Sequence, residues 1–286
     1  MASSNRTQAA RDAAERALVH FALLAGPHAL DFVVIGGLNP AYLAPKTPVR
    51  HLGTTDLDLL FELGFVYDRD DLDFGWLDRL VAGPEFKPRG GAGWQWDSDL
   101  DGFSVRIDLL CDELDSLAQP LTLPGARSVA AQNLRGPHGA LVAPLTRQIS
   151  VPEDLAKRFP GAPATISLRF ATLGGYIVAK SAALLGRDLD KDAYDLGFVI
   201  LFNDGGPAGA AREAAAIRLA APRTSHHSST RSAVARFLDS DGDAATAFAT
   251  AMRISGDEST VGQLRADVLR GAHVFLAEFD RFSPRE

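Results

Sequence analysis

The segment Thr54-Thr55-Asp56-Leu57-Asp58-Leu59-Leu60-Phe61 decides how the chain is read. Side chains of a strand alternate between its two faces, so this stretch puts Asp56 and Asp58 on one face and Leu57, Leu59 and Phe61 on the other. Two ionised carboxylates about 4 Å apart repel by roughly 4 kcal/mol at an effective dielectric near 20. A site that keeps both charged needs a cation, and hard oxygen ligands suit Mg2+. A solvated strand face or a helix cap is the plainer explanation of an isolated Asp-x-Asp, and three further features weigh against it.

Upstream, Phe32-Val33-Val34-Ile35 is a continuous apolar run rich in β-branched residues, which predicts a buried strand ending at Gly36-Gly37. A glycine pair between a strand and a helix offers bare backbone N–H groups to a phosphate, although alone it is only a turn. Downstream, residues 103–109 alternate with period two and carry Ser104, Arg106 and Asp108 on a polar face. Neighbouring strands lie about 4.8 Å apart, so Asp108 completes a three-carboxylate cluster if its strand pairs beside that of Asp56 and Asp58. Finally, Lys180 and Arg187 are spaced to project from one face of a helix, and Asp192 and Asp195 are neighbours at i, i+3 on the next. A solvated charged face is the alternative there. The four features together describe a phosphate cradle, an acidic metal-binding cluster and cationic groups for a polyphosphate, which is a nucleotidyl-transfer site.

Around these motifs, residues 8–25 have helical periodicity, with Ala14, Leu18, Phe21 and Leu24 on or near one stripe and Gly26-Pro27 as the stop. A helix is expected over Asp71 to Val81, loop from Gly83 to Gly93, and weakly patterned chain over 135–165. A long helix is expected from about Leu168 to Gly186 and a second from Lys191 to Phe202. The Ala-rich remainder is helical in three or four pieces, separated at Pro222–Thr230 and Ser240–Asp243. Strands gather before residue 150 and helices after it. The fold class is therefore α+β: a mixed sheet with helices over 1–165, followed by a helical C-terminal domain over 166–286 that contributes Lys180 and Asp195.

Composition bounds the function. The 286 residues suit one elaborated domain or two. With 36 acidic against 29 basic residues the net charge is −7, which excludes a wholly basic nucleic-acid coat but not a local basic patch. The lone Cys111 excludes an internal disulfide framework and a cysteine-cage zinc site, and points to a reducing compartment. No apolar run is long enough to span a bilayer, and Arg6, Arg11, Asp12, Glu15 and Arg16 interrupt the place of a signal-peptide core. The chain is expected to be soluble and cytoplasmic. Asp239-Ser240-Asp241-Gly242-Asp243 looks like a calcium loop but places Thr250 where a bidentate Glu is required. His226-His227 is expected in a flexible linker rather than at zinc, and Trp94 and Trp96 in sheet packing.

On Val33-Val34-Ile35-Gly36-Gly37, Thr55-Asp56-Leu57-Asp58-Leu59, Asp108 and the block Lys180…Arg187…Lys191-Asp192-Ala193-Tyr194-Asp195-Leu196, the chain resembles the DNA polymerase β-like nucleotidyltransferase superfamily. The last block makes it similar, more narrowly, to the AbiEii toxins of type IV toxin-antitoxin systems and the related MenT toxins. The likeness spans roughly residues 30–200. It implies the nucleotidyltransferase fold, Asp56, Asp58 and Asp108 as ligands of a two-metal Mg2+ site, and Asp108 as a group that helps activate the acceptor hydroxyl. It also implies Gly36 and Gly37 at the triphosphate, Lys180 at phosphate or nucleotide with Arg187 in support, and Asp195 as a further active-site group.

The implied activity is transfer of NMP from an NTP to an acceptor. By likeness to the MenT toxins that acceptor is the tRNA 3′ end, and a cognate antitoxin is implied as partner. An RNA acceptor requires a basic lane, for which Arg147, Lys157, Arg158, Arg169 and Arg187 are candidates. Two alternatives stay open. One is a small-molecule, aminoglycoside-type nucleotidyltransferase, for which an acidic cleft would suit a polycation. The other is an inactive nucleotide- or protein-binding module on the same fold. It draws support from the eighteen residues, including Pro40, Pro45 and Pro48, between Gly37 and Asp56.

Overall fold

The computed structural model describes residues 6–45, 47, 49–64, 71–100, 102–187 and 189–283. Of the three prolines between Gly37 and Asp56, Pro48 lies outside the described residues. Helix α1 (Gln8–Ala25) is capped by the Thr7 hydroxyl, which accepts from the N–H of Ala10, and ends at Gly26, whose φ is +57°. Ala14, Leu18, Phe21 and Ala25 form its buried stripe. Leu24 was expected there but is exposed, because 100° per residue carries it about 80° off the stripe.

Strand β1 (Phe32–Ile35), helix α2 (Asn39–Leu43), strand β2 (Asp56–Phe61) and helix α3 (Gly75–Val81) follow. Then come β3 (Phe86–Pro88), β4 (Gln95–Leu100), β5 (Phe103–Cys111), β6 (Pro120–Thr122), β7 (Ala130–Asn133) and β8 (Leu145–Ser150). Helix α4 (Glu153–Arg158) leads to β9 (Thr165–Phe170). The helical region comprises α5 (Leu173–Arg187), α6 (Asp190–Phe202), α7 (Gly206–Ala216), α8 (His226–Ala235), α9 (Asp243–Ile254) and α10 (Val261–Phe282).

The strands form one mixed sheet in the order β3-β4-β5-β2-β1-β9-β8, with β7 beside the end of β5 and β6 beside β7. Strand β2 runs antiparallel to β1 and parallel to β5, while β1 and β9 are parallel. The α+β architecture, a mixed sheet with helices followed by a helical region over α5 to α10, agrees with the alternation and helical periods of the sequence. No helix of the described residues is long and apolar enough to cross a membrane.

Alternation divides two cores across the sheet. Phe32, Val34, Leu57, Leu59, Phe61, Ile107 and Leu109 pack with Phe21 of α1 and with Trp76 and Leu77 of α3. Val33, Ile35, Leu60 and Leu110 face the other way, into the core of Tyr176, Tyr194, Phe198, Phe248, Phe275 and Phe279.

Five local expectations are corrected. The helix expected from Asp71 begins at Gly75, because the N–H of Phe74 goes to the carbonyl of Pro124 and the Asp73 carboxylate accepts from the N–H of Gly75. The loop expected from Gly83 to Gly93 contains β3, whose pairing with β4 outweighs its glycine-rich surroundings. The weakly patterned 135–165 contains β8 and α4. The helix expected from Leu168 begins at Leu173, because Ile166, Leu168 and Phe170 are buried at period two as β9, paired to β1 and β8. The division expected at 165/166 thus falls at the start of that strand. His226 opens α8 instead of lying in a linker, with ring nitrogens 3.1 and 3.0 Å from the carbonyl oxygens of Arg223 and Ile217.

Gly174 lets α5 approach α7 closely: a Cβ there would run into the carbonyl of Glu213. Gly174→Ala should therefore destabilise the protein by about 1–3 kcal/mol as an overpacked contact. Gly262→Ala, at a helical position facing open space, should leave the urea midpoint unchanged or slightly raised.

Candidate active site

Asp56 and Asp58 share the face of β2 that carries Leu60 into the helical core. They lie at the start of the strand, where that face passes from apolar packing to a half-buried polar surface. The parallel register of β2 and β5 sets Asp58 opposite Asp108 and Asp56 opposite Arg106. On the other side of β2, Ile35 of β1 stands opposite Asp58, so the chain leaves β1 through Gly36 beside that carboxylate. Gly36 has φ +77°, and a Cβ on it would overlap the Asp58 carboxylate. A Cβ on Gly37 would stand 2.6 Å from Cβ of Thr54. Glycine is therefore required at both positions by close approach, and at Gly36 also by backbone conformation.

The three carboxylates are met unequally. Arg106 reaches Oδ2 of Asp56 at 2.5 Å, and its Nε lies 3.1 Å from Oδ1 of Asp108. Lys191, from the first turn of α6, approaches Oδ2 of Asp56 at 3.3 Å, and the Thr55 hydroxyl donates to Oδ1 at 3.1 Å. Gln95 on β4 donates to Oδ1 of Asp108 at 3.1 Å. Among the described residues no hydrogen bond or ion pair reaches Asp58. Burial first, and the charge of Asp56 second, push its carboxyl above the usual range, against the more distant pull of Lys191, Lys180 and Arg187. Burial and the charge of Asp58 push Asp108 up to about 6, against Arg106 and Gln95.

No three His, Cys, Asp or Glu side chains among the described residues form a group able to hold a metal ion. Asp56, Asp58 and Asp108 share one face, but two of them are turned to Arg106. The residues nonetheless fit Mg2+ in donor chemistry. Asp58 is a carboxylate unanswered among the described residues and opposite a second acid, and Mg2+ is commonly held by one or two carboxylates plus substrate phosphates.

The second acidic centre is of a different kind. Lys180 is buried between Asp192 and Asp195, its ammonium 2.9 Å from a carboxylate oxygen of each. Arg187, one and a half to two turns further along α5, grips Asp192 through Nε at 2.7 Å and its second nitrogen at 3.0 Å. Asp195 also receives Arg6 at 2.8 Å and lies 3.0 Å from Nε2 of His51. Burial opposes ionisation of Asp195, but Arg6, Lys180 and His51 outweigh it and hold the carboxyl well below its usual range. Burial, aided by the charges of Arg6 and Lys180, pushes His51 down against the pull of Asp195.

Sequence-predicted residues thus fall into two sets. Gly36, Gly37, Asp56, Asp58 and Asp108 meet at the sheet face. Lys180 and Asp195 lie in the buried cluster behind it, and half-exposed Arg187 links the two through its field on Asp58. Of the basic-lane candidates, Arg147 lies on β8, Arg169 on β9 and Lys157 and Arg158 on α4, whereas Arg187 alone is tied to the carboxylates by described interactions.

Sequence reasoning missed Arg6, His51, Gln95 and Lys191 as site neighbours, and noticed Arg106 only as a polar strand residue. Lys191 was legible, since it stands one residue before Asp192. The long segment between Gly37 and Asp56 finds its use here. It carries His51 to Asp195, the N–H of Leu52 to the Tyr194 hydroxyl at 2.9 Å, and the carbonyl of Gly53 to Arg6 at 2.6 Å.

Lys180→Met leaves two buried carboxylates short of their shared cation, and should cost about 3–5 kcal/mol in urea unfolding. The pH dependence has a definite sign. Because His51 binds protons less readily when folded, the unfolded chain protonates first as pH falls through about 6.5. The stability from a neutral His51 is full above that pH and is lost below it; the Asp195 contribution fails only below the ordinary carboxylate range. His51→Gln should therefore flatten the loss of stability between pH 7.5 and 5 relative to the parent, measured by urea midpoints.

Comparison with models of protein families, with curated proteins and with solved structures finds no match to this chain.

Proposed function

We propose that the chain is a Mg2+-dependent nucleotidyltransferase of AbiEii-like type, on a nucleotidyltransferase-fold sheet, that moves NMP from an NTP to an RNA acceptor. Asp58 carries this proposal: it is half-buried, has no hydrogen-bond or ion-pair partner among the described residues, faces Asp108 across β2 and β5, and lies against a glycine that leaves room for nothing larger. The tRNA 3′ end as acceptor, the toxin role and a cognate antitoxin rest on the sequence likeness alone.

Bound Mg2+ would neutralise the triphosphate and polarise its oxygens, with Asp56, Asp58 and Asp108 as protein ligands. Arg187, partly exposed, is a cation for the phosphates, and Lys191 neutralises Asp56. By the sequence likeness, Asp108 also helps to activate the acceptor hydroxyl, and it stands opposite Asp58 in register where such a group would be placed. The acceptor oxygen attacks the α-phosphorus, the bond to the β-phosphate oxygen breaks, and pyrophosphate leaves. Most of the rate enhancement in such a reaction comes from positioning and charge. Lys180 and Asp195 act as positioning residues, holding α5, α6 and the stretch from His51 to Gly53 so that Lys191 faces Asp56.

A second reading, an inactive nucleotide-binding module, draws on the engagement of Asp56 by both Arg106 and Lys191. One assay separates them. Purified protein incubated with labelled NTPs, Mg2+ and total RNA should label an RNA class, and Asp58→Asn should lower labelling at least about 100-fold, the scale of a lost catalytic group. Equal labelling by Asp58→Asn sinks the proposal. No labelled RNA, together with NTP binding indifferent to Mg2+ in calorimetry, favours the inactive module.

A further inference from the structure

Arg106 stands opposite Asp56 in register and two residues before Asp108 on the same strand face, so its guanidinium spans the two acids. Its side chain is 31% exposed, which leaves it free to swing outward. It contacts Oδ2 of Asp56 and Oδ1 of Asp108, two of the three acids that this reading of the face makes metal ligands. A guanidinium and a divalent cation compete for the same lone pairs, and Asp58 alone offers a cation one side chain.

We propose that Arg106 is a removable internal counter-ion, which holds Asp56 and Asp108 together in the nucleotide-free protein and passes to the triphosphate when an NTP arrives, so that nucleotide and divalent cation bind cooperatively. This inference rests on the nucleotidyltransferase reading of the same face. The planar fork of arginine pairs bidentately with phosphate, which supplies a destination that water does not. The acids are not abandoned when it leaves: Lys191 stays on Asp56 and Gln95 on Asp108. Those two oxygens are shared, Lys191 holding the first and Gln95 the second, so the departure of Arg106 frees one lone pair on each, beside Asp58. Arg106 is a positioning residue in this scheme, setting the order of binding.

The test is Mn2+ binding, followed by the electron paramagnetic resonance signal of free Mn2+, with and without a non-hydrolysable NTP analogue. In the parent protein the analogue should tighten Mn2+ binding by a factor within about 5–150, the usual range of coupling between sites. Arg106→Gln should bind Mn2+ without analogue about tenfold more tightly than the parent, and its coupling factor should fall toward one. Arg106→Lys, which keeps the charge but loses the fork, should lie between them. The parent measurement stands whether or not the variants fold, and their thermal midpoints identify any that do not.

Mn2+ affinity in the parent that is the same with and without analogue, and lost in Asp58→Asn, overturns the role of Arg106 and leaves the metal site. Coupling unchanged in a folded Arg106→Gln overturns it likewise. No Mn2+ bound by the parent under either condition overturns both the role and the reading of the site.

Discussion

A carboxylate sealed among apolar side chains keeps its charge only if other parts of the chain bring it cations and donors. Asp195 is held in this way by Arg6 before α1, His51 between α2 and β2, and Lys180 on α5. Those partners lie far apart in sequence, so satisfying one acid fixes the relative placement of four segments. Such a cluster adds little net stability, since desolvation consumes most of the Coulomb gain, but any alternative packing leaves a charge stranded. With α6 fixed from Asp195, its first turn points Lys191 at Asp56. The geometry of the sheet acids depends on the buried cluster behind them.

The two acidic centres occupy opposite electrostatic regimes. Asp195 has more positive partners than it needs and ionises readily. Among the described residues Asp58 has none in contact and Asp108 shares Arg106 with Asp56; burial and the neighbouring carboxylates therefore leave both holding protons more tightly than ordinary carboxyls. A surplus of cations is what a structural acid needs. A deficit creates affinity for positive charge from outside, and shifts of this kind gather where chemistry occurs.

Much of the sheet was legible because alternation is a one-dimensional signal. The period-two pattern of residues 56–61 and 103–109 fixed which residues share a face, and only the pairing of the two strands remained unknown. The continuous apolar run of β1 and the helical stripe of α1 were equally plain. Strand β9 was not, because Ile166, Leu168 and Phe170 run almost directly into the apolar start of α5, and an apolar stretch crossing a strand–helix junction shows neither period cleanly. His226 misled for a different reason, since a Ser- and Thr-rich neighbourhood resembles a linker whenever the packing partners lie elsewhere in the chain. At the site, residue types announced the acids and cations but not their pairings. Lys180 and Arg187 do share a face, yet both turn to Asp192, and nothing local marks His51 or Arg6 as partners of Asp195.

The span of those partnerships also has a temporal side. Arg6 and Asp195 are 189 positions apart, and His51 and Asp195 are 144 apart. During synthesis the glycine turn and all three sheet acids emerge well before α5 and α6 exist. A nascent chain that has paired β1, β2, β4 and β5 still lacks the lysines and arginine of the helical block, so among the partners described above its acids have Arg106, Gln95 and Thr55. Long-range contacts of this kind form late. The set of cations around the sheet acids is therefore complete only once α5 and α6 have been made, so the electrostatics of that face are among the last features of the fold to be established.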